Sequence, residues 1–578
     1  MKKHYGIVYK LFEIGDKMLW VKKEGYEYQK NDSILTKLQK VRKIDNINEF
    51  LEPPMSFEHN PYQLENIDEA VQRILKALYK NENIKIMSDV DADGIVSCAI
   101  MYNYLKEHTD NLSIVHSQRS YGHGLETILE EMNDKKNIVY LDKLTDLLII
   151  VDSSSNSVEA CKMVSEKYNC DIVIIDHHAI DRENPYATIV NCQLGDYPNK
   201  ALSGSAMCYK VLQVLDEYLN QDNADEYLDL VAIGLVADLM DLNEKENRSL
   251  VNRGIKAIHN EGLQQLLKVN NVDFYYGISS IDIGYKISPL LNACSRFDKI
   301  ELALELLVES DEIRAKEIAK ELKKMNDVRK KEEKEIVEAV LDKVNNSHKV
   351  AVIIDNNIEA NFRGLICMQV TSKLKKPAFV LTFNEEKNEY HGSARSIGQI
   401  KLKEYCQITG DFLYCQGHEK AFGVGIKAKK LEEALEALDE LIENSESEEI
   451  IEYDLELDAD EITLELIEGV EKFSKITGQG VPVPKFLIKN VIIQDGEMLG
   501  KNVKETLKLN CENDLAVMKF KTDEEYASQF FNALNDENNF FVEADIVGTL
   551  NINRFYHFGK KELIITKQVF MEDFKLNI

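Results

Sequence analysis

No run in this chain approaches the ~20 consecutive apolar residues that a membrane-spanning helix needs, which argues against an integral helical membrane protein. The basic residues near the start (MKKHYGIVYK) are followed by no apolar stretch, so no secretory signal is read there. The ten cysteines form no C-x-x-C pair. Structural zinc and a disulfide framework are therefore disfavoured, and buried free thiols in a cytoplasmic protein are the ordinary reading. Internal repeats and low-complexity tracts are absent as well. Positive charge is short: 70 Lys and Arg face 100 Asp and Glu, for a net charge of −30. Phosphate backbones are bound through Lys and Arg with release of counterions, so this balance weighs against a polyanionic partner. It leaves room for a local basic groove, and metal-binding carboxylates would add to the acidic count.

What is present points to several domains, since 578 residues exceed one hydrophobic core. Residues 1–55, ending at Pro53-Pro54, read as an N-terminal extension packed on the domain after it. Over 56–311, short apolar strands (NIKIMSD, LLIIVDSS, DIVIIDHH) alternate with helical segments, which predicts an α/β domain with a mostly parallel sheet. Ligands bind such sheets at the carboxyl ends of the strands. Residues 312–346 read as a long, mostly exposed linker helix, because 312–345 contain neither Gly nor Pro and keep an apolar stripe. A second α/β pattern occupies 347–450. From 451 to 578 short strands and turns predict a small OB-type β-barrel.

The polar residues that end the strands carry the chemistry. Asp89, Asp91 and Asp93 alternate directly after IKIM, the kind of carboxylate cluster that hard divalent cations need. An EF-hand is excluded, because a strand precedes the cluster and no Glu closes a twelve-residue loop. Asp152 ends LLIIVD, where a lone Asp is as often a helix cap. Asp176-His177-His178 ends DIVIID, and adjacent imidazoles suit manganese, zinc or iron. Asp238 interrupts the apolar stretch YLDLVAIGLVADLMDL, where an unpaired buried carboxylate is costly. Asp89, Asp91, Asp152, His177 and Asp238 together supply enough ligands for two divalent ions sharing a carboxylate. The mixed oxygen and nitrogen donors favour Mn²⁺, with Mg²⁺ as the alternative.

DVDADG, VDSS, IDHH and VADLMDL, in this order, resemble the four motifs of the DHH phosphoesterases. Within that superfamily the chain is similar to the RecJ family of single-strand-specific exonucleases. IDEAVQRILKALYK, YPNKALSG, SPLLNACSR, the linker-helix residues Leu322, Asn326 and Arg329, GSARSI, Gly417-His418 and GVPVP carry that likeness over roughly residues 56–578. The resemblance implies a DHH domain, a second domain of the DHHA1 type and a C-terminal OB-type barrel. It implies metal-dependent removal of mononucleotides from the 5′ end of single-stranded DNA, in DNA repair and recombination. A single-strand-binding protein or a helicase would be the protein partners. Arg119, Ser393 and Arg395 would take a 5′-phosphate, a role suited to the planar guanidinium fork, and Arg296 a backbone phosphate near the scissile bond. Gly417 and His418 would let the backbone approach the nucleotide. His178 and Asp93 would act in catalysis or orient the metal site.

The sequence departs from the family pattern at Gln416, which replaces a glycine, and at Ala394; both bear on substrate fit in the second domain. Phe555 and Tyr556, beside a basic run at 554–561, suit base stacking. Two other readings stand beside the exonuclease: a DHH phosphodiesterase for short oligonucleotides or cyclic dinucleotides, and a non-catalytic subunit of a replication complex. The region after 450 favours longer polymers, and the intact acidic and histidine positions favour catalysis.

Overall fold

The computed structural model describes residues 18–577 except 120–121, 134–140, 142–143, 276, 346, 444–448, 501–504, 536–540 and 558–561. The apolar stretch at residues 4–12, the Tyr556 side chain and the 558–561 part of the basic run lie outside the described residues. The chain divides into two compact units, Ser56–Ser447 and a second made from both ends, Met1–Met55 with Glu448–Ile578. Strand β1 (Met18–Lys22) belongs to the two-ended unit.

In the 56–447 unit, β2 (Ile84–Ser88), β3 (Leu112–His116), β4 (Leu147–Val151), β5 (Asp171–Asp176) and β6 (Thr188–Asn191) form a sheet of order β3-β2-β4-β5-β6. Every pairing in it is parallel. All of LLIIV is buried, as expected of a strand covered on both faces. Helix α1 (Ala92–Lys106) packs on α2 (Gly204–Leu219) and α3 (Leu228–Ala237). These helices are buried nearly all round, which is why α1 and α3 show no polar stripe in sequence. Register places Met87 of β2 opposite Ile150 of β4, and Ile150 opposite Ile174 of β5. The acids that end or follow these strands therefore gather along one sheet edge.

Helix α4 (Ser288–Arg296) precedes the thirty-residue α5 (Glu312–Leu341), which is about 45 Å long. Ala315, Ile318, Ala319 and Leu322 are buried in its first half. Val337 and Val340 join the next core, with Phe362 and Ile366 of α6 (Ala360–Leu374). There β7 (Ala351–Ile354), β8 (Ala378–Asn384), β9 (Glu389–Arg395), β10 (Phe412–His418) and β11 (Ala421–Lys427) form a mixed sheet of order β10-β11-β9-β8-β7. Strands β7 and β8 are parallel and the others antiparallel.

In the two-ended unit, β12 (Glu449–Tyr453) runs parallel to β1. Strands β13 (Leu455–Asp458), β14 (Phe486–Leu499), β15 (Thr506–Cys511), β16 (Leu515–Phe520), β17 (Val542–His557) and β18 (Glu562–Leu576) form a six-stranded sheet of order β13-β14-β15-β16-β18-β17, with an added β14–β17 pairing. This corrects the expected small barrel of short strands: the region is a sheet whose longest strands span 14 to 16 residues. Strand β14 pairs with β17 along Phe486–Ile493 and with β15 along Ile493–Leu499. Register irregularities interrupt it near Asn490 and between Ile493 and Asp495.

A buried ion pair fastens the two chain ends of this unit. Arg42 Nε and Nη2 donate to Asp454 at 2.7 and 2.9 Å, while Nη1 donates to the Pro482 carbonyl at 2.6 Å. Burial would raise the Asp454 pKa, but Arg42 and Lys23 hold it below the ordinary carboxylate range. A depressed folded pKa contributes stability above the unfolded value of about 4 and loses it as pH falls through the folded value. Arg42→Ala leaves Asp454 buried without its guanidinium and should cost about 3–5 kcal/mol. Hydrogen exchange is expected to show lost protection in β1 and in the helix Ile34–Val41 at neutral pH, the difference shrinking below about pH 4. Wild-type protection in the variant would show that the pair does not hold the ends together.

Candidate metal centre and phosphate pocket

Asp89 follows β2 with its side chain 5% exposed, and its Oδ2 lies 2.9 Å from His123 Nδ1. Its Oδ1 is buried with no hydrogen-bond partner. Asp91 caps α1, its Oδ1 accepting from the Asp93 and Gly94 amides at 3.1 and 3.2 Å. Asp93 accepts from the Gly204 and Ser205 amides at the start of α2, at 2.6 and 3.2 Å. Asp152, after β4, adopts φ +62°, a left-handed conformation uncommon outside glycine. A Cβ at Gly204 would meet Asp152 Oδ1 at 2.4 Å, so this close approach requires glycine. Asp238 caps the carboxyl end of α3.

These groups converge on His177, whose Nε2 lies 3.2 Å from Asp152 Oδ1 and 3.4 Å from Asp238 Oδ2. Both His177 Nε2 and Asp152 Oδ1 are buried without a hydrogen-bond partner. Unsatisfied buried acceptors facing one another are costly unless something cationic stands between them. Neighbouring ligands around a small octahedral ion at ~2.1 Å lie roughly 3 Å apart, close to the separations found here. Three sets, two of them sharing His177, each bring ligand atoms within 4.8 Å of one another: Asp89 with Asp91 and His123, Asp93 with His177 and Asp238, and Asp152 with Asp176, His177 and His178. The donors fit divalent metal.

Electrostatics agree with that fit. Burial, and then Asp93, Asp91, Asp89 and Asp238, push Asp152 well above the ordinary carboxylate range. Burial followed by Asp93 and Asp91 raises Asp238 to about 8, and burial with Asp89 and Asp93 raises Asp91. Burial lowers the His177 pKa, which favours the neutral imidazole that can ligate. Asp176 has a different task. It is fully buried and accepts from the His177 amide at 2.7 Å, the His178 amide at 3.2 Å, His178 Nδ1 at 2.8 Å and Ser155 Oγ at 2.7 Å. Burial opposes its ionisation, yet His178, His177 and Ser155 hold its pKa below the usual value. His178, hydrogen-bonded to Asp176, is raised to about 9 and stays more than half exposed.

A cationic cluster occupies the same compact unit. Asn292 of α4 accepts from the Ala92 amide at 3.1 Å, and Arg296 stands one turn further along α4. Arg296 donates to the Asn361 carbonyl at 2.5 Å and Arg119 to Ser295 Oγ at 3.4 Å. Burial and then repulsion from Arg119 and Arg329, with Arg395 contributing, lower Arg296 to about 9. Arg395 ends β9, two residues from Ser393, and burial lowers its pKa too. Across the sheet Arg395 pairs with Ala421, which pairs with His418; Gly417, at φ +124°, precedes that hairpin turn. Gln416 and His418 are exposed.

Family models match the chain in three places: the DHH family N-terminal domain over 83–235, the DHHA1 domain over 345–444 and the RecJ OB domain over 453–567. In its domain content the chain is similar to the RecJ family. A Bacillus subtilis protein named "Putative SPbeta prophage-derived single-strand DNA-specific exonuclease YorK" is 28% identical over 88% of this chain and 92% of its own length. The single-stranded-DNA-specific exonuclease RecJ of the same species is 28% identical over 79% of this chain and 58% of its own length. The fold is that of RecJ from Thermus thermophilus in complex with Mn²⁺, with a TM-score of 0.72 and 21% identity over 94% of this chain and 76% of that one. Among the described residues no helix is long and apolar enough to cross a membrane.

Within this RecJ-like frame, Asp89, Asp91, Asp93, Asp152, His177, His178 and Asp238 converge, and Arg119, Arg296 and Arg395 form a second group. Ser393, Gly417 and His418 lie on the second domain's sheet. Sequence reading missed His123, whose one local signal is a histidine between two glycines, and gave Asp176 no role of its own. In metal-free protein the raised carboxylates make the folded state bind more protons than the unfolded state. Stability should then fall as pH rises from about 4 toward 8. Thermal melts in chelator should show this slope, and adding Mn²⁺ should flatten it and raise the melting temperature. A pH-independent melt in chelator would remove the carboxylate crowding.

Proposed function

We propose that this chain is a divalent-metal-dependent exonuclease that removes nucleotides from the 5′ end of single-stranded DNA. The observation that carries the reading is the convergence of Asp152, His177 and Asp238, with Asp152 Oδ1 and His177 Nε2 buried and unpartnered, in the unit that also groups Arg119, Arg296 and Arg395. The names of the relatives, single-strand DNA-specific exonucleases, supply the substrate class.

Asp89, Asp91, Asp152, His177 and Asp238 would hold two ions, Mn²⁺ in preference to Mg²⁺ given the imidazole. Such ions, when bound, activate water and stabilise the leaving oxygen of a phosphodiester. Asp93 braces the site by tying α1 to the start of α2 through backbone amides. Asp176 holds the His177 backbone amide and the His178 imidazole. His178, protonated at neutral pH by virtue of Asp176, presents Nε2 as a donor to a phosphate oxygen. Arg296, one helical turn from the residue that touches the first motif, grips a backbone phosphate. Arg119, Ser393 and Arg395 take the 5′-phosphate, Gly417 and His418 approach the nucleotide, and the strand end is thereby set at a fixed distance from the metals. A cationic group in which burial, Arg119 and Arg395 disfavour the charge on Arg296 gains most from an anion, which also answers the charge of −30: attraction is local.

Asp152→Asn and His177→Asn should each cut hydrolysis by orders of magnitude while leaving binding of 5′-phosphorylated DNA in place. Arg395→Ala should weaken binding of 5′-phosphorylated strands roughly ten- to a hundredfold and affect 5′-hydroxyl strands far less. Labelled single strands, duplex, RNA and a cyclic dinucleotide, each with Mn²⁺, test the assignment. Faster turnover of the cyclic dinucleotide, or an equal loss on both 5′ ends, would overturn it.

A further inference from the structure

We infer that His123 is a metal ligand, forming with Asp89 and Asp91 a second imidazole-bearing subsite, so that each ion of the pair has one nitrogen donor. This rests on the two-metal reading above and adds a ligand to it.

The residues arrive from separate places: Asp89 and Asp91 follow β2, while His123 lies in the segment after β3. Parallel pairing of β2 and β3 brings both strand ends to the same edge, Ser88 opposite His116. His123 stands between glycines at φ +113° and +85°, a turn that aims its imidazole back toward the sheet edge. Nδ1 then lies 2.9 Å from Asp89 Oδ2, the separation of two adjacent ligands on one small ion. Two further donors complete the set. Asp89 Oδ1 is buried and unpartnered. The amides capped by Asp91 engage its Oδ1, so the cap does not use Oδ2. All three residues place ligand atoms within 4.8 Å of one another. The arrangement mirrors the other subsite, where His177 stands between Asp152 and Asp238.

An ion pair between His123 and Asp89 explains the 2.9 Å contact by itself, but it leaves Asp89 Oδ1 buried without a partner. A cation shared by the three residues satisfies that oxygen as well. The chemical consequence is selectivity. Oxygen-only sites suit Mg²⁺, whereas an imidazole in each subsite turns both toward Mn²⁺, Co²⁺ or Zn²⁺.

The test uses the full chain loaded with Mn²⁺. Pulsed electron paramagnetic resonance should report ¹⁴N couplings from imidazole on both ions, and titration should give two bound ions per chain. His123→Phe should remove about half of the nitrogen coupling and weaken one Mn²⁺ by about tenfold or more, with the metal-free melt unchanged. His123→Asp, which substitutes an oxygen ligand, should bind both ions again and shift the Mn²⁺-to-Mg²⁺ preference about tenfold toward Mg²⁺. Unchanged coupling and affinity in both variants, while His177→Asn loses coupling, would overturn the role of His123 and leave the metal centre standing. Unchanged coupling in His177→Asn as well, or no Mn²⁺ bound to the wild type, would overturn the metal centre and this inference with it.

Discussion

Carboxylates packed at the ends of parallel strands repel one another, and the catalytic unit is built around that repulsion. Asp89, Asp91, Asp93, Asp152 and Asp238 meet where burial and neighbouring carboxylates raise the proton affinity of Asp91, Asp152 and Asp238. A protein keeps such a set only if rigid neighbours hold the groups in place and a cation compensates them. The rigidity is visible in detail: backbone amides of α2 take Asp93, the first amides of α1 take Asp91, and the carboxyl end of α3 presents Asp238.

Asp176 shows the same constraint solved without metal. It lies as deep as any acid in the unit, yet three backbone amides, an imidazole and a serine hydroxyl saturate it. Two acids at neighbouring strand ends thus differ because one has local donors and the other does not. Asp152 has a bare buried oxygen and a raised pKa; Asp176 has neither.

Much of this was legible in sequence. Strands covered on both faces read as unbroken apolar runs, so IKIM, LLIIV and DIVIID located the strand ends and the acids beyond them. The thirty-residue helix was visible from its freedom from Gly and Pro. Contacts made across the chain were not. His123 reaches Asp89 only through the pairing of β2 with β3, and the hold on Asp93 comes from Gly204 and Ser205, over a hundred residues away. The long strands of the last region were hidden for another reason: β14 continues past Asp495-Gly496, a dipeptide that locally favours a turn, with a register irregularity just before it.

The union of both chain ends in one unit governs the order of events during synthesis. Strand β1 leaves the ribosome early, but its partner β12 begins at Glu449. At about 5–20 residues per second, the earlier strand waits roughly 20–90 s with its edge unpaired. All of 56–447 is made in that interval and needs neither end to finish its own sheets. The unit that carries the candidate metal centre can therefore form its sheets while the first fifty residues still lack their partner strand. A stop in translation before residue 449 would yield an assembled catalytic unit trailing an unpaired strand edge, a species prone to stick to other chains.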